Sequence, residues 1–339
     1  MTSLTLTITE TLRYRGAIGQ WSWVLHRLSG LGVILFLILH VVDTSWAVFY
    51  PGEYIRAIAE YQTPLFTLGE FALVAAVVYH AFNGLRIIFF DYKPERWRYQ
   101  EIAAWGVLAA TAIVLVPVFL LMFGHVNEFY FGDEPGNVLS LGEVLGGQIR
   151  FVVGMGVALI VALVLSALYG AIRGEREEKA GPSRFEGFWW SFMRISGILI
   201  VPLVFGHLVL MHVLQGVFDI QFNAALAEHA AVGAVGMGVN VTGTAVEFVA
   251  DRWNTLVAGV AIWRLYDGAL LALVVTHGFN GLRYVFTDYA RNETVKRGLV
   301  YLCFIAGLVL LVLGAGALLI SVDDTAIQLA QEAFQHLYE

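Results

Sequence analysis

Long apolar runs, separated by short polar stretches, set the pattern of this chain. Seven of them cover about 24–49, 64–90, 102–124, 149–172, 189–218, 257–287 and 298–321. Each reaches 18 residues or more, enough to cross a hydrocarbon core about 30 Å thick as a helix. The pattern predicts an all-α integral membrane protein with about seven transmembrane helices. The first run does not read as a cleavable signal peptide. It is too long, carries His40 and Asp43 near its end, and no small-residue cleavage site follows it.

Composition agrees, since the chain is 58% hydrophobic and only 14% charged, where a soluble domain is about a quarter charged. The positions of the basic residues give the orientation. With a cytoplasmic N-terminus, sixteen of the 20 fall inside: Arg13, Arg15 and Arg27, then groups within 86–98, 173–194 and 283–297. Arg56, Arg150, Arg252 and Arg264 fall on the other side, and so does the C-terminus. A net charge of -7, with no basic run along a solvated groove, points away from nucleic acid. The single cysteine, Cys303, excludes an internal disulfide, a thiolate zinc cage and a protein-ligated iron–sulfur cluster, and reads as a small core residue.

Two signatures recur. His26-Arg27-Leu28-Ser29-Gly30 opens the first run and Met193-Arg194-Ile195-Ser196-Gly197 the fifth. The segment His80-x-Phe-Asn83-Gly84-Leu-Arg86 through Asp91-Tyr92 matches His277-x-Phe-Asn280-Gly281-Leu-Arg283 through Asp288-Tyr289. The chain therefore holds two tandem three-helix units, 1–145 and 181–339, with a connector helix and a charged cytoplasmic linker at 146–180. The connector is a topological need: each unit starts inside and finishes outside, so one extra crossing keeps the second unit upright. The second unit is longer between its first two spans. The stretch near 219–255, with Gln221, Asn223, Glu228 and His229, accounts for this as an outer loop or a surface-lying helix.

Each unit carries two histidines within its apolar runs, and ionisable groups in the bilayer are costly and usually functional. His40 and His207 each follow an arginine by 13 residues, about 20 Å from the inner surface at 1.5 Å per residue. His80 and His277 precede Arg86 and Arg283 by six, which is about 9 Å from it. Two layers follow, an outer pair His40/His207 and an inner pair His80/His277, each with one histidine from each unit. Opposed imidazoles suit an iron held in a planar macrocycle, whereas zinc wants four ligands. Glycines near the histidines, Gly84, Gly281 and Gly206, leave room for a flat ring. Arg27, Arg194, Arg86 and Arg283 are placed to pair with propionates. Glu70 and Asp267 each lie ten residues before a histidine, about 15 Å outward. They form a candidate outer proton-exchange pair at a quinone site, or rim carboxylates, with Arg264 able to pair Asp267 at i,i+3.

The His-Arg-Leu-Ser-Gly opening and the His-x-x-Asn-Gly-x-Arg…Asp-Tyr segment resemble the cytochrome b membrane anchors of succinate dehydrogenases and fumarate reductases. The chain looks like the two small anchor subunits fused, and the resemblance covers the six repeat spans. It implies two b-type haems, bound to iron by His40/His207 and His80/His277. It implies an inner quinone site as well: Arg27 and Tyr289 match quinone-binding positions, with Ser22, His26 and Asp288 beside them. Trp23 stands where the family has the quinone-site serine. It further implies a flavoprotein and an iron–sulfur partner carrying the dicarboxylate active site, and a place in a prokaryotic inner (plasma) membrane. Menaquinone is favoured over ubiquinone, and complexes of this kind can assemble into higher oligomers. Fumarate reduction is the same machine run backwards. Another quinone-linked oxidoreductase, such as a hydrogenase, could use a similar anchor. A transporter is disfavoured because the units run parallel and no span is broken at midplane.

Overall fold

A long apolar segment in lipid has no water for its N–H and C=O groups, so it must close them within a helix. The computed structural model describes residues 16–61, 63–132, 140–173, 184–210, 246–320 and 322–338. The linker 174–180, Arg13, Arg15, and the polar residues singled out in the outer stretch (Gln221, Asn223, Glu228, His229) lie outside them. Among the described residues all the named elements are helical. They are α1 Ile18–Phe49, α2 Pro51–Tyr61, α3 Pro64–Tyr92, α4 Gln100–Phe131, α5 Leu141–Arg173, α6 Arg184–Leu208, α7 Val246–Asn254, α8 Ile262–Tyr289, α9 Glu293–Leu319 and α10 Asp324–Tyr338.

Local chemistry sets several ends. Pro64 opens α3, where its missing N–H costs nothing. Pro94 follows the last residue after α3, where the residue before a proline leaves helical geometry. The Asn292 side chain caps α9 by accepting from the Thr294 and Val295 N–H groups.

The architecture is that of an all-α membrane protein. Six helices, α1, α3, α4, α6, α8 and α9, contain segments long and apolar enough to cross a membrane. The connector α5 is 33 residues long and holds a shorter apolar segment, Val152–Leu168. Large apolar side chains such as Leu68, Ile102, Ile113, Leu308 and Val312 are more than half exposed on the outer surface of the bundle, as lipid contact requires.

At the centre α1 packs on α3, α3 on α6, α6 on α8 and α8 back on α1. This closes a four-helix ring with two helices from each copy, and all four candidate histidines lie on it. Between α1, α8 and α9, buried Ile34, Val41, Val275, Phe279, Cys303 and Leu310 form one core, so Cys303 is a small core residue. The connector stays outside the ring. It docks on α9 where a Cβ on Gly298 would come within 3.3 Å of the Ala162 carbonyl, and where the Ser166 hydroxyl donates to the Thr294 carbonyl.

The opposite end from Arg27 and Arg86 carries elements that the run pattern does not predict. The amphipathic helices α2, α7 and α10 bury Tyr54, Ile55, Val246, Val249, Trp253, Ala326 and Ala330 against Ala47 and Ala317. They form a cap over that end of the bundle. α7 is the described part of the surface-lying segment expected near 219–255.

Gly314 lets α9 approach closely: a Cβ there would meet Leu271 at 2.7 Å and Val41 at 3.1 Å. Gly314→Leu is expected to cost about 1–3 kcal/mol through overpacking. The check is thermal unfolding in detergent against Gly154→Leu, a position with open space around it.

Candidate functional site

The inner layer shows how each histidine is held. His80 Nδ1 lies 3.1 Å from the His26 carbonyl and 3.3 Å from the Ser29 hydroxyl. A carbonyl can only accept, so Nδ1 carries the proton. The arrangement repeats in the second copy. Ser196 donates its proton to the Phe192 carbonyl at 2.6 Å, so its oxygen accepts from His277 Nδ1 at 2.9 Å. Each ring thereby keeps Nε2 as the nitrogen with a free lone pair, the tautomer that a metal ligand needs. Space comes from the same motif. A Cβ on Gly30 would stand 2.9 Å from the His80 ring, and one on Gly197 would stand 3.6 Å from the His277 ring. The Ser-Gly of the first signature thus braces the histidine of the second, in both copies. Its sequence signal is that Ser29-Gly30 and Ser196-Gly197 recur in register.

His80 and His277 lie within electrostatic reach of each other and of His26. The His26 ring stacks on His80 with centroids 3.9 Å apart and planes 8° from parallel. Its Nδ1 is buried without a hydrogen-bond partner, and so is Arg27 Nη1. Two adjacent residues thus present unsatisfied polar nitrogens at the inner end of the bundle.

Here the two copies also clasp each other. Arg27 pairs with Asp288, and Arg194 with Asp91 through bonds of 2.9 and 2.6 Å. Each arginine lies 4.1 Å over a tryptophan of its own helix, Trp23 and Trp190. Arg27 also lies 5.7 Å from the ring of Tyr289, the neighbour of Asp288, and in the other clasp it is Trp190 that meets Tyr92, the neighbour of Asp91, at 6.0 Å. Ser22 is buried, and its carbonyl accepts from Tyr79 and Asn83 of α3. The side chain packed on Arg27 is Trp23. Arg86 and Arg283 are turned to helix bracing. Arg86 bonds Asn83 at 2.8 Å and reaches the Gln100 carbonyl of α4. Arg283 bonds Asn280 and makes a two-point pair with Glu186 at 2.8 and 3.0 Å.

In the outer layer the His40 and His207 ring centroids are 6.1 Å apart at an interplanar angle of 79°. Two metal–nitrogen bonds of about 2 Å each, with the half-widths of two imidazoles, fill that distance. Gly206 does not open space for a flat ring there. It makes room for Tyr266, whose hydroxyl would lie 2.8 Å from an added Cβ and donates to the Leu203 carbonyl at 2.5 Å.

The two repeat-related carboxylates differ. Asp267 receives Arg252 through two bonds of 2.9 and 2.8 Å and Trp253 Nε1 at 3.1 Å. Arg264 does not pair with Asp267. It bonds the Trp253 and Leu318 carbonyls and the Asn254 side chain instead. Glu70 has no polar partner among the described residues. One more buried acid lies on this side: Asp43 is 4% exposed, accepts from Tyr61, and leaves its other oxygen unpartnered. Burial and the Asp43 carboxylate push the Tyr61 phenol far above its ordinary range.

The comparisons with known proteins point one way. The family model described as the succinate dehydrogenase/fumarate reductase transmembrane subunit matches residues 9–119 and again 173–315. The chain is 39% identical over 117 residues to the SdhC membrane subunit of succinate dehydrogenase 2 from Mycobacterium tuberculosis, a match over 34% of this chain and 86% of that protein. It is 26% identical over 108 residues to the succinate dehydrogenase hydrophobic membrane anchor subunit of Halobacterium salinarum, over 30% of this chain and 81% of that one. No solved structure gives a significant match.

The Arg194–Asp91 clasp is 19% and 31% exposed at its two side chains, so it is expected to couple only modestly. A double-mutant cycle of Arg194→Gln and Asp91→Asn, read by detergent-induced unfolding, should give about 0.5–1 kcal/mol. Strict additivity would show that the pair does not join the copies.

Proposed function

The chain belongs to the succinate dehydrogenase/fumarate reductase transmembrane-subunit family, and on that premise we propose that it is the diheme cytochrome b anchor of a succinate:quinone oxidoreductase. Two anchor units, 1–145 and 181–339, stand in one chain, joined by the connector and linker at 146–180. The separate matches of the family model to the two parts of the chain support that division. The chain docks a flavoprotein and an iron–sulfur subunit at its cytoplasmic face, and those partners carry the dicarboxylate chemistry.

The observation that carries this reading is the repeated brace behind the inner histidines. Ser29 with the His26 carbonyl, and Ser196, fix the Nδ1–H of His80 and His277 and hold Nε2 ready for iron. His40 and His207, with ring centroids 6.1 Å apart, would hold the second haem. A b-type haem supplies reversible one-electron chemistry when bound. The chain's own part is to hold the rings, exclude water from the bundle, and carry charge-balancing groups at the inner end. Arg27 is the best placed of the four arginines to meet a propionate, because one of its donors is unspent.

For quinone, the inner site is formed by His26, Arg27, Trp23, Asp288 and Tyr289. Its buried unsatisfied nitrogens on His26 and Arg27 suit the carbonyl oxygens of a quinone ring. Ser22 contributes as backbone support for α3. On the outer side Glu70 is the carboxylate free to exchange protons with a quinone, and menaquinone is the species that a two-haem anchor suits. The membrane is a prokaryotic plasma membrane, with the N-terminus cytoplasmic.

Haem quantitation and a reduced-minus-oxidised spectrum of the purified complex test this directly. Two b-type haems per chain are expected, with one lost in His207→Ala and the other retained. A wild-type complex with one haem would remove His40 and His207 as ligands. Glu70→Gln is expected to slow quinone turnover several-fold, and an unchanged rate would remove the outer acid.

A further inference from the structure

The outer histidine pair has an asymmetric neighbourhood that the repeat does not explain. In the inner layer both rings are braced by neutral groups, serine hydroxyls and a backbone carbonyl. At His207 the charged group near Nδ1 is a carboxylate: Asp267 Oδ1 lies 3.9 Å away, beyond hydrogen-bond distance but close enough for its charge to act on the ring. Its repeat counterpart, Glu70, has no such anchoring. Asp267 is held from behind by Arg252, which is only 2% exposed, and by Trp253 Nε1. The Arg252 guanidinium in turn lies 4.7 Å over the Trp263 ring. Arg252 and Trp253 come from α7, a short helix of the outer cap that precedes the second span of its copy as α2 does in the first.

A side chain this deeply buried and bonded at two points has one geometry, so the carboxylate is fixed as well. A fixed carboxylate this close to an imidazole raises the basicity of the ring through its charge. Electron-rich imidazole and a nearby anion both favour ferric over ferrous iron. Arg252 offsets part of that charge and keeps the burial of Asp267 tolerable.

We propose that Asp267, locked by Arg252 and Trp253, acts on His207 through its charge and lowers the reduction potential of the haem that His40 and His207 would hold. The cap helix α7 thereby acts on the electron path although it touches no iron ligand itself. The inference rests on the proposed role of the outer histidine pair.

Potentiometric titration of the purified complex, followed by the haem absorbance, tests it. The outer component is identified as the one missing in His40→Ala. Asp267→Asn is expected to shift that component upward and leave the inner one in place. Arg252→Gln is expected to shift it downward, because the carboxylate loses its counter-charge, and Asp267→Glu should lie close to wild type. A merely structural role would not give opposite signs for the two partners. Should Arg252→Gln fail to fold, Trp253→Phe removes one donor to Asp267 and is expected to shift the component downward to a smaller degree. Two haems with no shift in Asp267→Asn, or shifts of the same sign in both, would overturn the proposal. A wild-type complex with a single haem would instead overturn the reading beneath it.

Discussion

An imidazole placed in hydrocarbon has no water to satisfy its two nitrogens, so each one must find a partner in the protein or in a bound group. That constraint shapes the centre of this molecule. In the inner layer one nitrogen of each ring is taken by the start of the neighbouring helix, through Ser29 and the His26 carbonyl or through Ser196. The other nitrogen is left for a ligand. The helix that carries the arginine and the helix that carries the histidine therefore have to pack side by side. This is why the two signatures travel together, and why α1 with α3 and α6 with α8 form the ring.

The second consequence is the relation between the copies. The clasps Arg27–Asp288 and Arg194–Asp91 both run from one copy to the other, and His40 of the first lies beside His207 of the second. The departures from this twofold pattern are informative. Glu186 pairs with Arg283, while the equivalent position in the first copy is Gly19, which leaves Arg86 to a backbone carbonyl. His26 is replaced by Met193 in the second copy, so one inner end offers unsatisfied nitrogens and the other offers a thioether. Asp267 is pinned by the cap while Glu70 is not.

Much of this was legible in the sequence because membrane helices announce themselves by length and because the repeat fixes register. The reading of seven spans meets six described helices long and apolar enough to cross, with a shorter apolar segment, Val152–Leu168, at the seventh, and the core position of Cys303 follows from residue type. Of the cap only α7 falls in a stretch read as an outer loop or surface-lying helix; α2 and α10 were not legible, because they are short and amphipathic and gain their stability from burying Tyr54 and Ala330 in the cap. Asp267 could be named as special but not paired correctly. Its neighbour at i,i+3, Arg264, caps main-chain carbonyls, and the true partner, Arg252, comes from another helix. Ser29 and Ser196 stand in the repeated signature, but their role depends on which helix faces which.

The most direct test of the account is an anomalous difference map at the iron absorption edge from crystals of the complex. It predicts two peaks within this chain, one between His40 and His207 and one between His80 and His277, each bridging the two copies. A single peak, or a peak ligated by two histidines of the same copy, would contradict it.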